Sequence, residues 1–225
     1  MTSRYDEIAA NLSGVKAAIN TSVRSVGRSA DEITLIAVTK TFPVSDVHLL
    51  ASLGVHHYGE NRDSEGAPKA AAVPGTWHFQ GQIQSNKLKS IASWAHVIHS
   101  LDELRHIQAL DKVAIHRIGV FLQVSLDGAP GRGGADPSDL SQLADAVVQS
   151  NHLDLMGLMA VAPLDITSDQ AFEKLAIIHS SFKASYPMAT SLSAGMSNDF
   201  ESAICHGATH IRVGSSILGS RPTPQ

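Results

Sequence analysis

Residues 33–40, ITLIAVTK, form a run of apolar and β-branched residues that ends on a lysine. Such a run is typical of a strand that is buried in a parallel sheet. Lysine is among the residues least often buried, so the position of Lys40 at the end of this strand needs an explanation. For this stretch alone, a long side chain that reaches back to solvent is the simplest one.

Seven further strand-like stretches follow this one, and helical patterns lie between them. The stretches are residues 55–59, 76–80, 96–100, 117–124, 153–160, 190–195 and 210–214. The helical patterns include residues 45–54, 84–95, 101–112, 137–150 and 169–182. Strands that alternate with helices indicate βαβ units and a parallel sheet. Eight units without a long interruption predict an α/β fold of the single-domain (β/α)8 TIM-barrel type, with a doubly wound open sheet as the alternative.

The N-terminal segment predicts an extra helix before the first strand. Its apolar residues recur every three or four positions, as expected for one buried helix face. These residues are Ile8, Leu12, Val15, Ile19, Val23 and Val26. Gly27 is expected to end this leading helix, which takes up residues 1–27. We assign residues 1–225 to one domain and expect residues 220–225 to form a flexible tail.

The composition excludes several classes of protein. The net charge is −4 and 5% of the residues are aromatic, so neither a basic surface nor stacking platforms for nucleic acid are expected. Cys205 is the single cysteine, and it can form no intrachain disulfide. The N-terminus has no apolar signal core, and no run approaches the roughly eighteen apolar residues of a membrane span. We therefore expect a cytoplasmic protein with no nucleic-acid or membrane partner.

Lys40 is placed differently from the other seven lysines of the chain, because it alone directly follows a predicted strand. In a TIM barrel, the residues at the carboxyl ends of the strands converge on one face, and active sites are built there. A lysine in a desolvated site offers a free amine that can attack a carbonyl and form a Schiff base. Lys40 therefore has two possible explanations: it forms a covalent bond to a ligand, or its side chain reaches solvent.

The last two βα units predict an anion site. Residues 191–197, SLSAGMS, lead from a strand towards a helix, and Asn198 with Glu201 resembles a capping box. The sequence GSS at 214–216 repeats the arrangement after the final strand. Small residues and a helix N-terminus let backbone N–H groups approach a phosphate, and barrel phosphate sites commonly follow strands seven and eight. Two ordinary capped helix starts are the alternative.

Arg212 lies inside the last predicted strand, two residues before Gly214. A buried arginine must either pair or face the site, because an unpaired buried charge is costly. The position of Arg212 in the sequence does not distinguish a residue that faces the site from one that forms a structural salt bridge. A lysine that can form an imine, a phosphate cradle and an arginine between them together suggest pyridoxal 5'-phosphate (PLP) as the cofactor.

Six stretches carry a resemblance to a known family. They are AVTKTFP at 37–43, GENR at 59–62, WHFQGQIQSNK at 77–87, GLMAVAP at 157–163, GMSNDFESAI at 195–204 and RVGSSILGSR at 212–221. In this order they resemble the pyridoxal phosphate homeostasis protein family, a single-domain barrel that is similar to the N-terminal domain of alanine racemase.

The resemblance implies ten PLP-binding residues: Lys40, Asn61, His78, Met159, Ser193, Met196, Ser197, Arg212, Gly214 and Ser215. Lys40 would carry the Schiff base, and Arg212 would face the pyridine nitrogen. Asn61 and His78 would line the cofactor ring, with Met159 on the barrel wall. Ser193, Met196 and Ser197, with the backbone groups of Gly214 and Ser215, would hold the phosphate. One departure is Arg132-Gly133, where members of the family often carry a lysine before the glycine.

The resemblance also implies a role in intracellular PLP (vitamin B6) homeostasis and delivery, with apo-enzymes as candidate recipients. The alternative is a PLP-dependent amino-acid racemase. Related racemases take a tyrosine base from a C-terminal β-domain, and here the chain ends just after the eighth strand. Of the three tyrosines only Tyr58 is expected near the site. We therefore expect no catalytic residue and no robust catalysis. No metal site is expected, because the twelve histidines show no ligand spacing.

Overall fold

The computed structural model describes residues 2–129 and 132–220, and it shows the closed barrel that the sequence predicts. Eight parallel strands pair in chain order, and the last strand closes on the first. The strands are β1 (Thr34–Val38), β2 (His57–Glu60), β3 (Thr76–Phe79), β4 (Val97–Leu101), β5 (Ile118–Gln123), β6 (Leu153–Met159), β7 (Ser191–Ser193) and β8 (His210–Val213). The open-sheet alternative is therefore wrong. Most of the expected tail, residues 221–225, lies outside the described residues.

In the part of the chain that the structure describes, seven α-helices occupy the segments between the strands, one helix precedes β1 and one follows β8. They are α1 (Arg4–Ser25), α2 (Val44–Ser52), α3 (Asp63–Ala72), α4 (Leu88–Trp94), α5 (Leu104–Val113), α6 (Leu140–Val148), α7 (Ser168–Ser185), α8 (Phe200–Cys205) and α9 (Ser215–Leu218). All five helical patterns are confirmed. Helix α3 was not among them, because its sequence DSEGAPKAAA contains Pro68 and lacks an apolar period.

The predicted leading helix is present as α1, and it packs against α8 and α9. The side chain of Ser3 accepts a hydrogen bond from the backbone N–H of Asp6, which caps the helix start. The helix ends at Ser25, two residues before Gly27 adopts a left-handed φ of 69°. Five of the six predicted stripe residues are buried; Val26, the sixth, is 40% exposed. The apolar stripe of α1 thus covers the outside of the last two βα units.

The register between β1 and β8 closes the barrel and sets the geometry of one of its faces. Ile36 pairs with Arg212, and Ala37 pairs with Val213. The residues that follow these strands, Lys40 and Gly214, therefore lie on the same face, as the barrel prediction requires. Among the described helices, α1 is the longest at 22 residues, and none combines the length and apolarity needed to cross a bilayer.

Candidate functional site

A cavity of about 880 Å³ lies at the carboxyl ends of the strands. Its volume is within the range of small-molecule sites. The structure brings eight of the ten predicted residues to its wall: Lys40, Asn61, Met159, Met196, Ser197, Arg212, Gly214 and Ser215. The other two, His78 and Ser193, are buried inside the barrel rather than on the described wall of the cavity.

Lys40 enters the cavity from the turn that follows β1. Residues 36–39 are buried, whereas Lys40 itself is half-buried and Thr41 is exposed. Val38 and Phe42 also line the cavity on either side of this turn. The end of the buried strand thus delivers the lysine side chain to a concave and partly apolar site.

Backbone donors converge on one oxygen atom at the start of α9. The Ser197 hydroxyl oxygen accepts hydrogen bonds from the N–H of Gly214 at 3.2 Å and from the N–H of Ser216 at 3.3 Å. The turn before Ser197 depends on Gly195, which has a left-handed φ of 89°. A Cβ atom on Gly195 would lie 2.7 Å from the Cα of Phe200. Only glycine fits this approach of the turn to α8.

The capping box that was predicted for Asn198 and Glu201 is wrong. Helix α8 begins at Phe200, and Asp199 is the residue that precedes it, with no capping hydrogen bond from its side chain. Instead, the Asp199 carboxylate accepts the N–H of Met196 at 2.6 Å. Asp199 therefore fixes the turn that forms one wall of the cavity.

Arg212 forms the floor of the cavity, with 6% of its surface exposed. Its guanidinium donates to the Ser193 hydroxyl at 2.6 Å and to the backbone oxygen of Ala160 at 3.0 Å. Among the described residues these direct partners are uncharged, so the salt bridge that spacing left open is absent there. Burial lowers the pKa of Arg212 to about 10, and the side chain remains a cation at neutral pH.

A chain of three histidines extends from Arg212 through the barrel interior. Ser193 Oγ lies 2.8 Å from Nδ1 of His99, and Nε2 of His99 lies 2.8 Å from Nδ1 of His78. Nε2 of His78 then lies 2.9 Å from Nδ1 of His57. His78 and Ser193 thus support Arg212 from behind the cavity. The histidine chain was not predicted, because the sequence shows neither the strand register nor the tilt that brings these rings within hydrogen-bond distance.

Burial keeps the interior histidines neutral. Desolvation is the main cause that lowers the pKa of His78 and His99 well below its usual value, and neighbouring histidines add to it. Desolvation also lowers the pKa of His210, which packs edge-on against Phe121, to about 4. A neutral imidazole donates through one nitrogen and accepts through the other. Neutral His99 and His78 can therefore each donate to one neighbour and accept from the other.

Two further residues of the cavity wall were not predicted as site residues. Arg132, noted from the sequence only as a departure from the family, lines the cavity. Its guanidinium donates to Asp127 Oδ2 at 2.9 Å and to the backbone oxygen of Ala162 at 3.2 Å. Gln80, within the motif at 77–87, also lines the wall. Its buried Nε2 has no hydrogen-bond partner among the described residues.

A group of possible metal ligands lies at the start of α5. Ligand atoms of Asp102, Glu103 and His106 lie within 4.8 Å of one another. The Glu103 carboxylate is already paired with Arg105, with 2.5 Å between Oε2 and Nε. The adjacent guanidinium competes with any cation for this carboxylate, and we assign no metal to the group.

Comparisons with known proteins show the family of this chain. A family model described as "Alanine racemase, N-terminal domain" matches residues 15–222. The pyridoxal phosphate homeostasis protein of Mycobacterium tuberculosis is 40% identical over 243 residues, which cover 97% of this chain and 94% of the relative. The chain belongs to the pyridoxal phosphate homeostasis protein family. The resemblance read from the sequence motifs is therefore confirmed.

Two solved structures contain a barrel that is similar to the barrel of this chain. PipY of Synechococcus elongatus, solved with PLP bound, is 32% identical and has a TM-score of 0.82 over 94% of this chain and 100% of its own. Alanine racemase from Corynebacterium glutamicum is 14% identical and has a TM-score of 0.73 over 95% of this chain and 60% of its own. The second likeness shows the shared fold alone.

Acidification should destabilise the folded chain because three buried histidines resist protonation. The pKa values of His78, His99 and His210 lie below those of the unfolded chain. The unfolded state therefore takes up protons first, and stability is lost as the pH falls below about 6.5. Between about pH 7 and pH 5, each histidine should reduce the free energy of unfolding by roughly 2 kcal/mol.

Urea unfolding followed by circular dichroism at both pH values measures this loss. His99→Gln should remove roughly 2 kcal/mol of the pH dependence, and His48→Gln, the same change at an exposed position, is the matched control. Equal stability of the wild type at the two pH values would contradict the assignment of neutral interior histidines.

Proposed function

We propose that this chain binds PLP in the cavity at the carboxyl ends of its strands and acts in PLP homeostasis. The observation that carries the proposal is the convergence of the Lys40 amine, the Arg212 guanidinium and the backbone donors of the last βα unit on one cavity. Relatives that bear the name pyridoxal phosphate homeostasis protein, and PipY with PLP bound, support it.

The donors at the start of α9 fit a phosphate group. The N–H groups of Gly214 and Ser216 already point at one oxygen, that of Ser197. Oriented backbone N–H groups form anion sites because their partial positive charges add. In this proposal Ser197, the backbone of Gly214, Ser215 and Ser216, and the neighbouring Met196 hold the phosphate. Met196 lines the cavity and is 40% exposed.

The floor and side walls fit the ring of the cofactor. Arg212 can donate to a pyridine nitrogen while Ser193 holds the other side of its guanidinium. His78 supports this arrangement through His99, so its proposed role is to orient Arg212 rather than to contact the ring. Asn61 and Met159 also line the cavity. Together these residues orient a flat, polar-edged ligand above Arg212.

When bound, PLP supplies an aldehyde that condenses reversibly with the Lys40 amine. An arginine opposite the ring nitrogen donates a hydrogen bond and does not supply a proton, because its pKa is far above neutral. Arg212 would therefore leave the ring nitrogen unprotonated, and the ring would withdraw electrons less strongly than one whose protonated nitrogen faces a carboxylate. Such a site favours holding and releasing the aldehyde over carbanion chemistry.

The three tyrosines support a carrier rather than a racemase. The Tyr58 hydroxyl donates to the backbone oxygen of Val55 at 2.5 Å from a fully buried position. The Tyr186 hydroxyl donates to Asp145 at 2.7 Å, and Tyr5 is 44% exposed on α1. None of them belongs to the described wall of the cavity. We propose that the chain delivers PLP to apo-enzymes and does not racemise amino acids at a significant rate.

The purified protein mixed with PLP should show a visible absorption band that borohydride bleaches. Lys40→Ala should abolish the band, because the amine that carries the linkage is removed. Lys89→Ala, at an exposed lysine of α4, is the matched control and should leave the band intact. A Lys40→Ala protein that keeps the borohydride-sensitive band would overturn the assignment of this lysine.

Deuterium exchange separates the carrier from the racemase. The PLP-loaded protein is incubated with single amino-acid enantiomers in deuterated water, and Cα deuterium and optical rotation are followed. We expect retention of configuration and no deuterium above the level given by free PLP, because no tyrosine base faces the described cavity wall. Rapid deuterium uptake with loss of optical activity would show a racemase instead.

A further inference from the structure

The two residues that flank Lys40 each donate a hydrogen bond to a carboxylate on another part of the chain. The Thr41 backbone N–H donates to Glu65 Oε2 on α3 at 2.6 Å. Thr41 has a φ of 70°, and it is the single non-glycine residue with positive φ among the described residues. A β-branched residue rarely adopts this conformation unless its surroundings impose it. The turn that presents Lys40 is therefore held from outside.

On the other side of Lys40, Thr39 is fixed by a buried ion pair. The Lys69 ammonium lies 2.6 Å from Glu60 Oε1 and donates to the backbone oxygen of Thr39 at 2.8 Å. The Thr39 hydroxyl donates to the same Glu60 oxygen at 2.6 Å. Glu60 is fully buried and Lys69 is 6% exposed.

The ammonium of Lys69 also links the two halves of this arrangement. It lies 3.6 Å from Glu65 Oε2, the oxygen that accepts the Thr41 N–H. One cation on α3 thus holds two carboxylates, and each carboxylate binds one neighbour of Lys40. We call Glu60, Glu65 and Lys69 the clamp.

Stability alone does not explain the clamp. A buried ion pair loses most of its Coulomb attraction to desolvation, and apolar residues of similar size often stabilise a fold at least as well. Buried charged groups are better explained by the groups that they bind and keep in position. Here they hold the peptide groups before and after Lys40, and in an apolar version those groups would have no side-chain partners.

We propose that Lys69, together with Glu60 and Glu65, positions Lys40 for attack on the cofactor aldehyde. This inference rests on the proposed attachment of PLP at Lys40. In it, the clamp fixes the turn so that the lysine side chain leaves the barrel wall towards the cavity. Lys69, Glu60 and Glu65 are positioning residues and do not contact the cofactor.

The test compares the rate of covalent attachment with the strength of non-covalent binding. The apo-protein is mixed with PLP, samples are reduced with borohydride over time, and the labelled Lys40 peptide is quantified by mass spectrometry. Pyridoxine 5'-phosphate, which carries an alcohol in place of the aldehyde, reports binding without the covalent step.

Two variants disrupt the clamp in different ways. Glu60→Gln combined with Lys69→Met removes the buried pair without leaving an unpaired charge in the core. Glu65→Gln acts at a side chain that is 23% exposed; it keeps the buried pair and an oxygen acceptor for Thr41 but removes the negative charge beside Lys69. Lys174→Met is the matched control, because Lys174 donates to the backbone oxygen of Leu126 at 2.6 Å in a different loop.

We expect the attachment rate to fall about tenfold in the double variant and about threefold in Glu65→Gln, because small misplacements of a reacting group slow its reaction strongly. The control should match the wild type, and all variants should bind pyridoxine 5'-phosphate to within about twofold. Should the double variant fail to fold, Glu65→Gln decides alone.

The outcomes separate this inference from the function on which it rests. A wild type that is never labelled on Lys40 would refute the proposed attachment site and the clamp with it. A wild type that is labelled on Lys40, with attachment as fast in the clamp variants, would refute the clamp and leave the proposed function standing. Loss of thermal stability with an unchanged attachment rate would likewise show a merely structural role.

Discussion

The pairing of β1 with β8 is the constraint on which the site depends. These strands lie at opposite ends of the chain, yet Ile36 pairs with Arg212 and Ala37 with Val213. Closure therefore places the residue that follows the first strand, Lys40, beside the small residues that follow the last. An open sheet of the same eight strands would separate them. The cavity is a consequence of barrel closure, and its volume of about 880 Å³ suits a small cofactor.

The barrel core is unusually polar, and its polarity is organised around the site. Arg212, Ser193 and three histidines form one hydrogen-bonded series from the cavity floor into the interior. Apolar residues would fill this space at a lower desolvation cost. A buried arginine needs partners on every side that does not face a ligand, and neutral groups provide them without cancelling its charge. The same reasoning applies to the clamp around Lys40, where charges fix a backbone turn.

The sequence predicts the barrel well, because strand and helix patterns are local and their alternation leaves few topologies. It also predicts Lys40 and Gly214, since strand ends converge in any such barrel. Lys69 could not be identified, because a lysine among small residues on a helix is usually exposed and α3 itself lacks an apolar period. The contacts of His99 depend on the tilt and register of four strands, and these are properties of the closed structure. The family motifs named His78 without showing that it lies behind the cavity.

The most direct test of the account is a crystal structure of the protein grown with PLP. The account predicts electron density that is continuous with Lys40 Nζ, a phosphate at the N–H groups of Gly214 and Ser216, and the ring nitrogen within hydrogen-bond distance of Arg212. Density for the cofactor at another lysine, or a phosphate bound away from the start of α9, would contradict it.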